Sequence, residues 1–365
     1  MKKIIWILVL CVVFLTACSG KSVLPDESSN TVPSGTADTE PVPSSSEVLV
    51  LKVSDYFPFT KDVHMKYKGT GNEYAAYETY IDYVKADVMQ VRQMNGGTTS
   101  AIVYRLSDGA LKKVYSQGEV YYRYDYTSLS NQDEILIKEP IKEGTSWTLK
   151  DGASRSITAV DKQIKTPAGD FSALEITTKR QDSTQKDYYV KNIGHVKAEF
   201  MSGGDSSTIV SELEKVENDV PFTHRVRFYF PEFLKDRVAY IDRDVEINTN
   251  QDMKFKFQKE LKTVPENGGL SKTLTTNTSI LGCKIDEKNG TVTVDLTSQF
   301  IKEMNAGTSL ESMLIKSITN TIGDYYQKDK VIITIEGKLY ESGHVLLKQG
   351  EYFTVSKDNV AEYGK

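Results

Sequence analysis

Apolar and polar residues alternate with period two through much of residues 48–216. Val120, Tyr122, Tyr124 and Tyr126 are interleaved with Tyr121, Arg123 and Asp125, and Thr79, Ile81 and Tyr83 repeat the pattern upstream. Asn95-Gly96, Asp108-Gly109 and Gln117-Gly118 break the runs at hairpin spacing. Alternation punctuated by such dipeptides marks antiparallel strands. Further runs cover 156–160, 171–178, 186–190, 195–200 and 210–216. Together they predict an antiparallel β-rich domain whose sheet curls into a curved sheet or half-barrel.

The pattern changes near residue 222. Val226, Phe228 and Phe230 alternate in a strand ending at Pro231. Met253, Phe257, Leu261 and Val264 share one helical face, while Met253, Phe255 and Phe257 also alternate as in a strand. The length of the segment and its polar start favour a helix over 252–264, stopped by Pro265. Ile280, Cys283 and Ile285 lead into Lys288-Asn289-Gly290, a hairpin turn, and Val292, Val294 and Leu296 return from it. A short helix holds Phe300 and Met304. Thr308 with Glu311 three residues on reads as a capping box. The helix it opens buries Leu310, Leu314, Ile318, Ile322 and Tyr325. Residues 331–335 form a short apolar strand, with extra strands near 345–355. The order predicts a smaller α+β domain over 222–356, one sheet with two helices on one face.

The first 46 residues carry neither periodicity. Residues 1–18 join Lys2 and Lys3 to an unbroken apolar run, which is the layout of a signal peptide and is short for a transmembrane helix. The run ends in Leu15-Thr16-Ala17-Cys18, which resembles the lipobox of bacterial lipoproteins. That resemblance implies cleavage between Ala17 and Cys18 and a diacylglycerol group, carrying fatty-acyl chains such as palmitate, on the Cys18 sulfur. Two acyl chains suffice for stable anchoring. Residues 19–46 are rich in Ser, Pro and Thr, lack aromatic residues and cannot build a core, so they read as a flexible tether. Such a tether reaches on the order of 30 Å. The expected location is the extracytoplasmic face of the cell membrane.

Composition narrows the chemistry. The chain has 365 residues with 39% hydrophobic and 26% charged, enough for two ordinary soluble cores. Removing residues 1–18 takes two Lys and no acid, moving the net charge from −5 to −7. An acidic balance argues against nucleic acid as a partner. Cys283 is the single Cys after residue 18, so no internal disulfide or Cys-based zinc site forms. His64, His195, His224 and His344 lie far apart in sequence and read as surface or core histidines. Ser183-Thr184-Gln185-Lys186 fits the Ser-x-x-Lys nucleophile motif but sits in a polar stretch that reads as a hairpin loop, with no Lys-Thr-Gly after it. Asp242, Asp244 and Glu246 lack the turn glycine of a calcium loop and read as a solvated strand edge. No cofactor, metal or catalytic residue is expected, and the chain is not expected to be an enzyme.

Two resemblances add to this reading. Lys165-Thr166-Pro167-Ala168-Gly169-Asp170-Phe171 and Leu174-Glu175-Ile176, followed by Tyr188-Tyr189-Val190 and Gly194-His195-Val196, resemble β-rich domains of uncharacterised exported bacterial proteins. That likeness implies a curved sheet and no established activity. Leu261, Pro265, Gly268, Gly269 and Leu270, the strand ending at Asp295, Phe300, the helix with Asn320-Thr321, and Gly337, Gly343 and His344 resemble a GerMN domain of sporulation and spore germination proteins. The family implies a fold similar to ring-building motifs of secretion-like complexes. Departures are Val264 before the Pro, Leu296 after the Asp and Gly350 near a usual Pro. The matching glycines read as turn residues, and Asp295 as a group that caps or orients the following helix.

The expected function is therefore a non-enzymatic, lipid-anchored scaffold or interaction protein of the cell envelope, linked to sporulation or germination. Its expected partners are the membrane through Cys18 and other envelope proteins or further copies of itself. The alternative rests on the tyrosines. They suit half-buried strand faces on propensity alone, but a face of them could also hold a lipid or glycan.

Overall fold

The structure is a computed structural model that describes residues 50–204, 208–266 and 268–365. The segments expected to be a signal peptide (1–18) and a tether (19–46), with Ala17 and Cys18, lie outside the described residues. Residues Val50–Lys365 form one compact unit. Among the described residues no helix is long and apolar enough to cross a membrane.

The chain enters through a one-turn helix, α1 (Val53–Tyr56), and then lays down twelve strands of a single antiparallel sheet. These are β1 (His64–Thr70), β2 (Tyr77–Lys85), β3 (Val88–Asn95), β4 (Thr99–Ser107), β5 (Ala110–Gln117) and β6 (Glu134–Lys138), then β7 (Ser146–Thr148), β8 (Ser154–Thr166), β9 (Gly169–Lys179), β10 (Ser183–Val190), β11 (Gly194–Ser202) and β12 (Thr208–Glu217). The spatial order is β6-β5-β4-β3-β2-β1-β12-β11-β10-β9-β8-β7. Each half meanders by hairpins, and the pairing of β1 with β12 joins the halves at the centre. The β4–β5 turn shows why its residues were legible. Asp108 and Gly109 both adopt positive φ, 55° and 64°, as the favoured two-residue hairpin turn requires.

The two end strands share no ladder, yet side chains draw them together. The Trp147 indole N–H donates to the carbonyl of Ile135 at 3.1 Å, and the Arg155 guanidinium donates to the same carbonyl at 2.7 Å. Leu111 and Ile137 from one end and Trp147, Ile157, Leu174 and Ile176 from the other share one buried cluster, which Val53 and Tyr56 of α1 complete. The curved antiparallel sheet expected from the sequence is thus present as a half-barrel whose seam is closed by side chains.

Residues 120–126 depart from expectation. Their alternation predicts a strand, and Val120, Tyr122 and Tyr126 are buried while Tyr121 is exposed, but Arg123 is buried as well and Tyr124 only half-buried. The segment nevertheless belongs to no strand. Side chains of β3 take the place of a ladder. Arg92 donates to the carbonyls of Val120 and Tyr122 at 3.1 and 2.9 Å. Gln90 donates to the carbonyl of Tyr124 and accepts from the N–H of Tyr126. Period-two burial arises from any extended chain with one face covered, whether or not its backbone pairs.

The C-terminal part has the expected α+β character. It contains β13 (Phe222–Glu232), β14 (Arg237–Ile247), α2 (Met253–Leu261), β15 (Ile280–Asp286), β16 (Thr291–Leu296), α3 (Gln299–Glu303), α4 (Thr308–Tyr326), β17 (Lys330–Ile335), β18 (Lys338–Leu339), β19 (Phe353–Thr354) and β20 (Val360–Glu362). Its strands divide between two sheets where one was expected: β13-β14-β20, and β15-β16-β17-β18 with β19 also on β17. The edge of β13 is not free to extend the second sheet. The Tyr229 N–H donates to Thr321 Oγ1 of α4 at 3.0 Å, and Thr273 Oγ1 donates to the Tyr229 carbonyl at 2.9 Å. Helices α2 and α4 each pack on strands of both sheets. As an edge strand, β13 also runs through Pro231 to Glu232 instead of stopping there.

Two local readings also change. Helix α4 begins at Thr308, but its N-cap is Gly307, with no side-chain cap. Glu311 is fully buried and accepts from the Tyr340 hydroxyl at 2.7 Å instead of closing a capping box. The 252–264 segment resolves as the helix α2, with Asp252 accepting from the Lys254 N–H, Phe257 buried and Phe255 exposed.

The core of this module continues into the half-barrel. Val88, Ala101, Val103, Val114 and Tyr115 of β3–β5 belong to the same buried cluster as Phe228, Phe257, Ile322 and Val331. Between them lies a buried ionic group. Asp82, 0% exposed, meets Arg92 at 3.0 Å and Arg123 at 3.4 Å. Arg123 also donates to the carbonyl of Asn248 at 2.9 Å, and its own N–H donates to the Tyr325 hydroxyl at 3.0 Å.

Candidate functional site

The pleat assigns the two faces of the half-barrel. On β3, Val88, Gln90 and Arg92 face the C-terminal module, while Met89, Val91 and Gln93 face inward. Tyr77, Thr79 and Ile81 of β2 and Gln185, Asp187 and Tyr189 of β10 face inward by the same rule. The inward side chains leave a cavity of about 420 Å³. Small barrels of about eight strands are just filled by their own side chains. A twelve-stranded curve encloses more space than these residues occupy.

Each charged group in the cavity already holds a partner within the protein. Glu134 lies between Lys113 and Arg155, each at 2.8 Å. Burial opposes its ionisation, but the hydrogen bond from Lys113 and the charges of Lys113 and Arg155 together hold its carboxyl below the ordinary value. Arg155 spends its other donors on Thr178 Oγ1 at 2.7 Å and the Ile135 carbonyl. Asp187, 8% exposed, accepts from the Gln185 amide at 3.0 Å and faces His195 Nε2 at 3.2 Å.

The aromatic groups are different. Phe57, from the segment after α1, packs on Tyr104 at 5.0 Å and Tyr189 at 6.4 Å between ring centroids. Tyr67 and Tyr77 stack at 4.2 Å, and the Tyr67 hydroxyl donates to the His195 carbonyl at 2.7 Å. Burial, then the neighbouring carboxylates, push the phenols of Tyr104 and Tyr189 well above their ordinary range. No hydrogen bond to a described residue acts on either hydroxyl. Neither oxygen is sealed in protein, and both residues border the cavity.

The residues singled out in the sequence fall elsewhere, and they do not converge. Asp295 accepts from Thr334 Oγ1 at 2.7 Å and from the Gly337 N–H at 2.9 Å, which fixes the β17–β18 turn where Gly337 has φ 81°. Thr321 covers the β13 edge, and Phe300 is fully buried beside Tyr340. The Gly268 carbonyl accepts from the Tyr363 hydroxyl, and a Cβ at Gly268 would lie 2.1 Å from that oxygen. Pro265 is exposed just past α2, and Leu270 packs half-buried on the module core. Gly343 and His344 occupy an exposed turn in which the His344 N–H donates to Ser342 Oγ. Each has a local structural part, and none borders the cavity.

The other candidate chemistry is also placed. Ser183 and Lys186 belong to β10 and not to a hairpin loop, because the turn is completed before Ser183. His64 lies between Glu78 at 3.2 Å and Glu217 at 3.0 Å. Burial pushes the Cys283 thiol up to about 12. Among the described residues no cluster of three or more His, Cys, Asp or Glu is arranged to hold a metal. The cavity residues were overlooked because strand alternation marks their faces, and not which face surrounds open space. The one available signal was polar residues at inward positions, Gln93, Gln185 and Asp187.

Residues 227–341 match the family model described as Germane: Sporulation and spore germination. Among solved structures, the tandem GerMN domains of the sporulation protein GerM from Bacillus subtilis are 18% identical, over 37% of this chain and 45% of that one, with a TM-score of 0.27. A protein described as exported, with a YmcC-like fold, from Bacteroides fragilis is 16% identical over 45% of this chain and 99% of that one, with a TM-score of 0.29. A protein described as a lipoprotein from Parabacteroides distasonis is 14% identical over 44% and 98%, with a TM-score of 0.27. Among curated proteins none matches the sequence.

Proposed function

We propose that the chain is a non-enzymatic interaction protein of the bacterial cell envelope, acting in sporulation or germination and anchored outside the membrane through acylated Cys18. The observation that carries this reading is the match of residues 227–341 to the sporulation and spore germination family. The lipobox-like Leu15-Thr16-Ala17-Cys18 supports the anchor. Other envelope proteins or further copies of the chain are the partners in this reading. Three experiments test it. Labelling with radioactive palmitate should mark the wild type and not Cys18→Ala, which should leave the membrane fraction; an unlabelled wild type rules out the anchor. Deletion in a spore-forming host should lower spore yield or germination, and in vivo cross-linking should capture an envelope protein or a second copy. Normal spores together with no cross-linked product would sink the interaction reading.

The cavity favours a second reading, in which the half-barrel holds a small lipid or glycan. Its volume falls in the range of small-molecule sites, and its lining combines aromatic faces with a few hydrogen-bonding groups. Native mass spectrometry of the full chain tests it through added mass that is lost on denaturation.

A further inference from the structure

We propose that the half-barrel cavity binds a neutral sugar unit, a mono- or disaccharide, which hydrogen-bonds the hydroxyls of Tyr104 and Tyr189. This rests on the reading of the half-barrel as a ligand-holding domain and names the ligand class.

Three observations select that class. The first is charge. Glu134 is held by both Lys113 and Arg155, Asp187 by the neutral amide of Gln185 and by His195, and Arg180 by Asp151 at 3.1 Å. A charged ligand would have to compete with these contacts, because each charged group of the lining already holds a partner within the protein.

The second is the unpartnered hydroxyls. Tyr189 is 4% exposed, and its hydroxyl, like that of Tyr104, meets the open space of the cavity and no protein partner. An acyl chain filling this space would strip water from both oxygens and leave them unpaired, which is costly. Sites built to hydrogen-bond a ligand reject analogues lacking the matching group. Sugar hydroxyls, ring oxygen or an acetamide carbonyl supply that match.

The third is the rings. Phe57, Tyr104 and Tyr189 form a cluster of rings at mutual tilts of 56° and 62°. Such rings offer apolar faces and edges to the C–H face of a pyranose, while the hydroxyls reach its rim. The cavity has room for a small ligand of this kind, at about 420 Å³.

The test is calorimetric titration of the full chain in a sugar-free detergent with N,N′-diacetylchitobiose, and separately with a short-chain monoacylglycerol. The expected result is saturable sugar binding that weakens about tenfold in each of Tyr104→Phe and Tyr189→Phe, with unchanged melting temperature. Saturation by the monoacylglycerol alone, unaltered in the two variants, overturns the sugar assignment and leaves the ligand-holding reading standing. Binding of neither probe, together with no co-purified mass on native spectrometry, overturns both.

Discussion

In the C-terminal module Phe257, Phe300, Ile322 and Ile333 are fully buried in one core, and Thr321 on Tyr229 and Asp295 on Gly337 are among the polar contacts at its margins. Inside the half-barrel, Tyr104 and Tyr189 instead border about 420 Å³ that no side chain fills. Both regions alternate apolar and polar residues along their strands. The difference is geometrical. Two sheets with helices packed on both bring opposed side chains within contact. A single sheet curved over twelve strands encloses a volume that grows with strand number faster than its lining can fill. The proposed interaction role would fall to the surface of the filled module, and the proposed ligand to the unfilled interior.

The two regions nonetheless share a seam, and breaking it should have the largest effect. Asp82→Asn leaves the buried guanidinium groups of Arg92 and Arg123 without their carboxylate. We expect a loss of about 3–5 kcal/mol in urea unfolding. The wild type should unfold in one transition, since the core is continuous. Separate transitions for the two regions would show that the seam does not couple them.

Acid probes the same seam. His224 lies near Arg92 and Asp82, and burial, then the charge of Arg92, lower its pKa to about 4. Its Nδ1 is buried without a partner. The unfolded chain therefore binds a proton near pH 6.5 that the folded chain refuses until about pH 4. This contribution is whole above pH 6.5 and is lost as the pH falls towards 4, on the order of 3 kcal/mol at most. Thermal melts of wild type and His224→Phe across that window measure it, and parallel curves would refute the assignment.

Within the regions the effects should be smaller. Thr321→Val leaves the Tyr229 N–H without its acceptor at the β13 edge, and should cost about 1–3 kcal/mol. Trp147→Phe removes the indole hydrogen bond across the half-barrel seam, and about 1 kcal/mol should follow, because Arg155 still reaches the Ile135 carbonyl. Tyr104→Phe should change stability by less than about 0.5 kcal/mol, since its hydroxyl holds nothing in the protein. A larger loss would mean that the cavity hydroxyl serves the fold.

Much of this was visible along the chain, and the exceptions are instructive. Asp108-Gly109 named its hairpin because both residues must take positive φ. The periodicity of 252–264 was ambiguous, and helix α2 resolves it by burying Met253, Phe257 and Leu261. At 120–126 the alternation described the burial of Val120, Tyr122 and Tyr126 but not that of Arg123, and it did not describe pairing, because Arg92 and Gln90 supply hydrogen bonds that a neighbouring strand would otherwise have made. Glu311 fitted a capping pattern locally, yet the Tyr340 hydroxyl, 29 residues away, takes its side chain into the core.

Taken by itself, the sequence determined the strand runs, the curved antiparallel sheet, the α+β character of the second part and its likeness to the sporulation family. These follow from backbone periodicity, turn chemistry and local motif order, all of which act over a few residues. The tertiary structure alone decided the split into two C-terminal sheets, the shared core, the Asp82–Arg92–Arg123 group and the unfilled cavity. Those depend on how far a twelve-stranded sheet curves and on which distant side chains then meet, and no periodicity along the chain encodes that distance.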